Sequence, residues 1–139
     1  MEWYIMALKR FSDFQGRSRR KEYWFFQLFN LMIIFAISFM ETLSGVDIEE
    51  GLGPFAILFS LIMFIPGLAV SVRRLHDTNR SGFWLLMAFI PLIGFIVLLY
   101  FMFSEGDEGS NSYGPDPKQD QIIHREAKEP EDFWKREDF

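Results

Sequence analysis

The chain contains no cysteine, which excludes disulfides, thiolate chemistry and cysteine-ligated metals. It has two histidines, His76 and His124, too few and too far apart for a histidine-rich metal site. No glycine-rich phosphate loop, nucleophile elbow or metal-ligand spacing occurs, so no cofactor and no enzymatic activity are expected. The basic segments are short and abut apolar stretches, which argues against nucleic acid as a partner. Strong charge is missing altogether from three long blocks, residues 23–40, 55–72 and 83–103. Lys and Arg are also absent from residues 41–54 and 104–117.

What is there is sharply sorted. The mean of 24% charged residues and the net charge of −5 hide the segregation. The 17 phenylalanines fall mostly in or beside the three uncharged blocks. A hydrocarbon core ~30 Å thick needs about 20 helical residues to cross, and each block is of that length. The expected fold is an all-α membrane protein with an interfacial N-terminal helix and three transmembrane helices. Residues 1–22 form a cytoplasmic amphipathic, basic segment, 23–103 the membrane domain, and 104–139 a polar loop with a disordered acidic tail. The first block starts late, is long enough to span and lacks a small-residue cleavage site after it, so it reads as an uncleaved anchor.

Orientation follows from the basic residues. Six Lys and Arg lie in residues 1–22 (Lys9, Arg10, Arg17, Arg19, Arg20, Lys21), none in 41–54, three in 73–82 (Arg73, Arg74, Arg80) and none in 104–117. Basic residues near span ends favour the cytoplasmic side. This places the N-terminus and the 73–82 loop in the cytoplasm and 41–54 outside. The third block carries Pro91 and Gly94 near its middle, where proline removes a backbone donor. The charge alternation favours one kinked span with the tail outside; a re-entrant pair of half-helices is the other form. The second block has a similar interruption at Pro66 and Gly67. Both breaks would lie ~10–12 Å below the cytoplasmic surface, and irregular backbone at that depth must be buried in protein or face a watery cavity. The four residues are therefore candidates to line a pocket, or else they simply tilt helices. Trp3, Tyr4, Ile5, Leu8 and Phe11 interleave with Lys9 and Arg10 as in helices that lie along a membrane surface. Gln27 and Asn30, three apart on one face, are expected to join helices by hydrogen bonds.

Two clusters could bind an anion. Arg17 and Arg20 precede the first block, and Arg73, Arg74 and Arg80 follow the second; guanidinium forks hold phosphate groups bidentately. His76 and Asp77 could tune or shuttle a proton there, although neighbours on a helix diverge by about 100° and need not face each other. A more modest role has Asp77 pair with an arginine and fix the turn. Residues 109–117 are a run of turn signals with one aromatic anchor, Tyr113, able to dock back on the membrane domain. The functional expectation is a non-enzymatic membrane protein whose cytoplasmic arginine face binds anionic lipid headgroups or a protein partner, with a homo-oligomer possible. Alternatives are a small transporter subunit or oligomeric exporter and, lower, a lipid-phosphate enzyme using His76. Because proton and ion paths need ionisable groups within the spans, and these spans have none but tyrosine, self-contained transport is disfavoured.

Taken in order, Phe14-x-Gly16-Arg17-x-x-Arg20-x-x-Tyr23-Trp24, then Pro66, then Arg73-Arg74-Leu75-His76-Asp77-Thr78-x-Arg80-Ser81-Gly82-x-Trp84 resemble the DUF805 family. Pro91-x-x-Gly94 and Gly109-x-Asn111-x-Tyr113-Gly114-Pro115-Asp116 extend the match, which covers about residues 3–117. Where family members often carry glycine after the threonine, this chain has Asn79; both accept tight turns. The resemblance implies a bacterial cytoplasmic-membrane location and a multi-span helical domain. It carries no activity across.

Overall fold

The computed structural model describes residues 2–46 and 51–119. Three acids of the 41–54 loop (Asp47, Glu49, Glu50) and most of the expected disordered tail lie outside the described residues. Among those described no strand forms; Asn111 and Gly114 make an isolated bridge.

The described residues form four α-helices and one 3-10 helix. Helix α1 is Glu2–Lys9, α2 is Arg20–Leu43 and α3 is Pro54–Asp77. The 3-10 segment Gly82–Phe89 and α4, Ile93–Phe103, complete it. Helices α2 and α3 have 24 residues each, ~36 Å at 1.5 Å per residue, enough to cross a bilayer core. They run antiparallel: Glu22 meets Arg73 at one end, and the Glu41 carboxylate accepts from the Phe55 N–H at the other, at 2.6 Å. Glu41 thereby serves the start of α3, whose N-cap, Gly53, has no side chain of its own to offer.

The two proline sites behave differently. Pro66 does not end its helix; α3 continues through it from Pro54 to Asp77. Proline deletes one hydrogen bond and crowds the carbonyl four residues back, which this helix tolerates, with Gly67 beside it facing the Phe26 ring of α2. Residues 83–103, for which a kinked span is favoured over a re-entrant pair of half-helices, form two short legs. The 3-10 leg has 8 residues and α4 has 11, so each reaches only ~16 Å. Between them Pro91-Leu92-Ile93 makes a γ-turn: the Ile93 N–H bonds to the Pro91 carbonyl at 2.8 Å, with Leu92 at φ 66° and ψ −66°. Gly94 then lets the legs close, since a Cβ there would strike the Met87 carbonyl oxygen. Both ends of this hairpin return to the level where α2 begins and α3 ends.

Burial is inverted relative to a soluble domain. The two largest fully buried side chains are Arg73 and Arg74. Apart from Ala56 and Ala69, apolar burial among the described residues gathers in two small clusters near that same end. Ala7, Phe26 and Val70 join α1, α2 and α3, and Leu75, Phe101 and Met102 join α3 to α4. Meanwhile Phe35 on α2 is 72% exposed and Leu61 on α3 67%. Large apolar side chains cover the outside of both long helices and of the hairpin. A surface of this kind is stable only against an apolar solvent.

Candidate functional site

The last turn of α3 presents Arg73 and Arg74 in succession, so their side chains leave the helix about 100° apart and reach different parts of the chain. Arg73 reaches back to the segment before α2. Its Nε donates to Ser18 Oγ (2.9 Å), one Nη to the carbonyls of Arg10 (2.7 Å) and Asp13, and the other to the Glu22 carboxylate (3.2 Å). Arg74 reaches forward to the end of α4. It donates to the Met102 carbonyl (3.3 Å), the Asp77 carboxylate (2.6 Å) and the Ser104 carbonyl. Arg17, 4% exposed, comes from the opposite side. Its Nε meets the other Asp77 oxygen at 3.0 Å, and its terminal nitrogens reach the carbonyls of Asp77, Asp107 and Gly109. Three guanidiniums thus share two carboxylates, Glu22 and Asp77, and backbone carbonyls with the Ser18 hydroxyl accept from their other nitrogens. Buried charges demand such saturation, because desolvating an ion costs several kcal/mol.

His76 and Asp77 diverge as adjacent helical residues should. His76 Nδ1 lies 3.2 Å from the Gly16 carbonyl; a carbonyl only accepts, so Nδ1 carries the proton. Its ring stacks flat on Tyr113, with centroids 3.9 Å apart and planes 7° apart, and its carbonyl accepts from the Asn111 amide at 2.8 Å. The aromatic anchor expected at Tyr113 therefore does dock. Residues 104–118 fold over the arginines as a cap, entered through Gly106, where a Cβ would collide with the Asp77 carboxylate. Asp107 N–H donates to the Asp77 carbonyl at 2.8 Å. Asp116 closes the cap by accepting from the N–H groups of Gly109 (3.1 Å) and Lys118 (2.8 Å).

Outside the long helices, Asp116 and Asp13 at this end are both shifted downward. For Asp116, burial alone would raise the pKa, but the hydrogen bonds from the Lys118 and Gly109 N–H groups and the charges of Arg17 and Lys118 outweigh it and hold it below the ordinary value. At Asp13 burial again pushes upward. The hydrogen bonds from Arg10 and from the Gln15 N–H, with the charges of Arg10 and Arg73, bring it below.

The other sequence candidates lie apart from the buried cluster. Arg20 is half-exposed, donating to the Phe103 carbonyl (3.1 Å) and to Glu105 (2.9 Å). Arg80 turns away, its guanidinium 4.1 Å over the Phe101 ring. Pro66 is buried, Gly67 faces Phe26 with room for a methyl group, and Pro91 is exposed; at Gly94 the Met87 backbone occupies the space a pocket would need. Asn30 does join helices: its amide holds the Phe26 carbonyl of its own helix and accepts from Tyr4 of α1. Sequence reasoning missed Ser18 and Glu22. An acid at the entrance of an apolar block was the available signal for Glu22, and none existed for Ser18. Beside the cluster, Arg19, Arg20 and Lys21 line a cleft of about 230 Å³ together with Lys118 and the aspartates 77, 107 and 116.

A family model described as "Protein of unknown function (DUF805)" matches residues 11–115. The inner membrane protein YhaI of Escherichia coli K12 is 46% identical over 118 residues, covering 85% of this chain and 97% of the relative. The inner membrane protein YhaH of the same organism is 41% identical over 118 residues, covering 85% and 98%. No solved structure matches this chain.

Proposed function

Because the chain belongs to the DUF805 family, and its relatives above are inner membrane proteins, we propose that it is a non-enzymatic, multi-pass protein of the bacterial inner membrane whose basic cytoplasmic face binds anionic lipid headgroups. Helices α2 and α3 cross as a hairpin. The 3-10 segment and α4 enter and leave the same leaflet as a re-entrant hairpin, so the N-terminal segment, the 73–82 turn and the 104–118 cap all face the cytoplasm. Support comes from the return of α4 to Arg20 and Arg74 and from the excess of Lys and Arg at that end. Helix α1 lies along the interface, its Tyr4 ring on Phe26 and Phe29 of α2.

The observation that carries the binding role is the division of labour among the cations. Arg17, Arg73 and Arg74 are consumed by internal acceptors, so a headgroup meets the rim formed by Arg19, Arg20 and Lys21. A non-enzymatic role is supported by His76, whose Nδ1 and ring face are taken by Gly16 and Tyr113. Native mass spectrometry of the purified protein supplied with phosphatidylglycerol and phosphatidylethanolamine tests the proposal. The wild type should retain phosphatidylglycerol preferentially, and Arg19→Gln/Arg20→Gln/Lys21→Gln should lose that preference. Equal retention of both lipids by the wild type, or an unchanged preference in the triple variant, would overturn it; a copurifying protein displaced by the same substitutions would instead favour a protein partner.

A further inference from the structure

The buried arginines leave unfilled the cleft beside them, about 230 Å³, into which cations converge from two distant segments: Arg19, Arg20 and Lys21 at the start of α2, and Lys118 at the end of the cap. We propose that this cleft binds a phosphate group. The inference rests on the cationic face argued above and assigns it a pocket and a ligand chemistry.

The carboxylates in the wall offset these cations only in part, Asp116 acting on Lys118. Asp77 is held by Arg17 and Arg74, and Asp116 by the N–H groups of Gly109 and Lys118, which leaves Asp107 as the one acid whose side chain is not committed in this way. The helix start adds to the imbalance. Three cations crowd the first positions of α2, where the helix dipole is itself positive and anions are the favoured neighbours. Its one acid there, Glu22, turns inward to Arg73, and no side chain caps the helix. Repulsion among like charges at one point is relieved by an anion seated between them.

The cleft is smaller than the ~300–1,000 Å³ typical of drug-sized ligands, which suits a phosphate with a few attached atoms and not a whole nucleotide. Arg20 offers the fork. Its partner Glu105 is 74% exposed, and so open an ion pair yields readily to a bidentate phosphate. Arg19 is steadied by Trp3, whose ring centroid lies 6.0 Å from its guanidinium carbon. The phosphate has two possible sources, the monoester headgroup of a lipid lying at this interface or a soluble phosphate from the cytoplasm.

Full-length protein in nanodiscs answers both parts. Phosphorus NMR would follow inorganic phosphate added to neutral phosphatidylcholine discs and, separately, phosphatidic acid incorporated in the discs. Binding of either should weaken at least about tenfold in Arg20→Gln/Lys118→Gln, while Arg80→Gln, whose guanidinium lies on Phe101 outside the cleft, should bind as the wild type. Engagement of phosphatidic acid alone identifies a lipid source; engagement of inorganic phosphate identifies a soluble one, and either upholds the site. Lys118→Gln alone, at the edge of the cap, should still weaken binding if the double variant fails to assemble. Absence of both ligands from the wild type, or equal binding by wild type and the cleft variants, would overturn the inference. Preference for phosphatidylglycerol could survive that result, leaving the broader lipid-binding reading intact. Phosphate binding without any lipid preference would retain the cleft and sink the broader reading.

Discussion

At the scale of single residues, the arginines that look most like a binding site are the ones least able to bind anything external. Arg73 and Arg74 are 0% exposed, and every nitrogen of each guanidinium has an internal acceptor. Removing one partner of such a pair strands the other and costs ~3–5 kcal/mol. Arg74→Ala and Asp77→Asn should each lower stability in detergent by about that amount, whereas Arg20→Ala, in an exposed pair, should cost under ~1 kcal/mol. Denaturation midpoints compare them; an Arg74 variant as benign as the Arg20 one would refute the internal role. Protonation acts on the same cap. Asp116 is held below its ordinary value when folded, so its stabilisation is complete above the unfolded pKa of ~3.9 and is lost as pH falls through the lower folded value. Asp13 has the same sign. Thermal stability should therefore decline in strong acid, and Asp116→Asn should flatten part of that decline. If the variant keeps the wild-type pH slope, the cap does not depend on this carboxylate.

Among the elements, the hairpin of the 3-10 segment and α4 is the least regular. Leu92 sits at positive φ, a conformation that costs a residue with a side chain ~1–3 kcal/mol. Its side chain is exposed, so little packing opposes its replacement. Leu92→Gly relieves the strain and should leave thermal stability unchanged or raised. Gly94→Ala drives a methyl group into the Met87 carbonyl and should separate the legs, lowering the midpoint by several degrees. A neutral Gly94→Ala would mean the legs do not pack as described. Asn79, also at positive φ, fills a turn where asparagine is tolerated, which is why it can stand where glycine is common.

For the molecule as a whole, the distribution of burial decides the setting. Two helices of membrane-crossing length are sheathed in exposed Phe, Leu, Ile and Met, and the buried charge is concentrated at one end. The absence of cysteine permits a direct test of the arrangement. Single cysteines at Ser44, Ser81 and Ser112 would be probed with a membrane-impermeant thiol reagent before and after lysis of cells. Ser44→Cys should react in intact cells, and Ser81→Cys and Ser112→Cys only after lysis. Labelling of Ser112→Cys from outside would make residues 83–103 a full crossing and remove the cap from the arginine cluster in the membrane.

Much of this was legible in the chain. The uncharged blocks announce membrane helices because hydrocarbon tolerates no unpaired charge, and that requirement is written in composition and length alone. The helical nature of residues 2–9, the docking of Tyr113 and the pairing of Asp77 with arginine were also within reach, since each needs only local pattern and chemical complementarity. What composition cannot carry is the direction of a chain after a break. Pro66 and Pro91 look alike in sequence, yet α3 passes through one while the chain reverses at the other. The difference lies in what each neighbourhood packs against: Phe26 of α2 behind Gly67, and the Met87 carbonyl against Gly94. Only that reversal brings Met102, Ser104 and Gly109 to Arg74 and Arg17, turning cations that a sequence reads as ligand clamps into internal braces. The sequence alone determined that the protein belongs in a membrane and which end carries its positive charge, because apolarity and charge act residue by residue. Tertiary structure decided which arginines are spent and which face outward, because saturating a guanidinium requires acceptors from remote segments whose meeting depends on the whole fold.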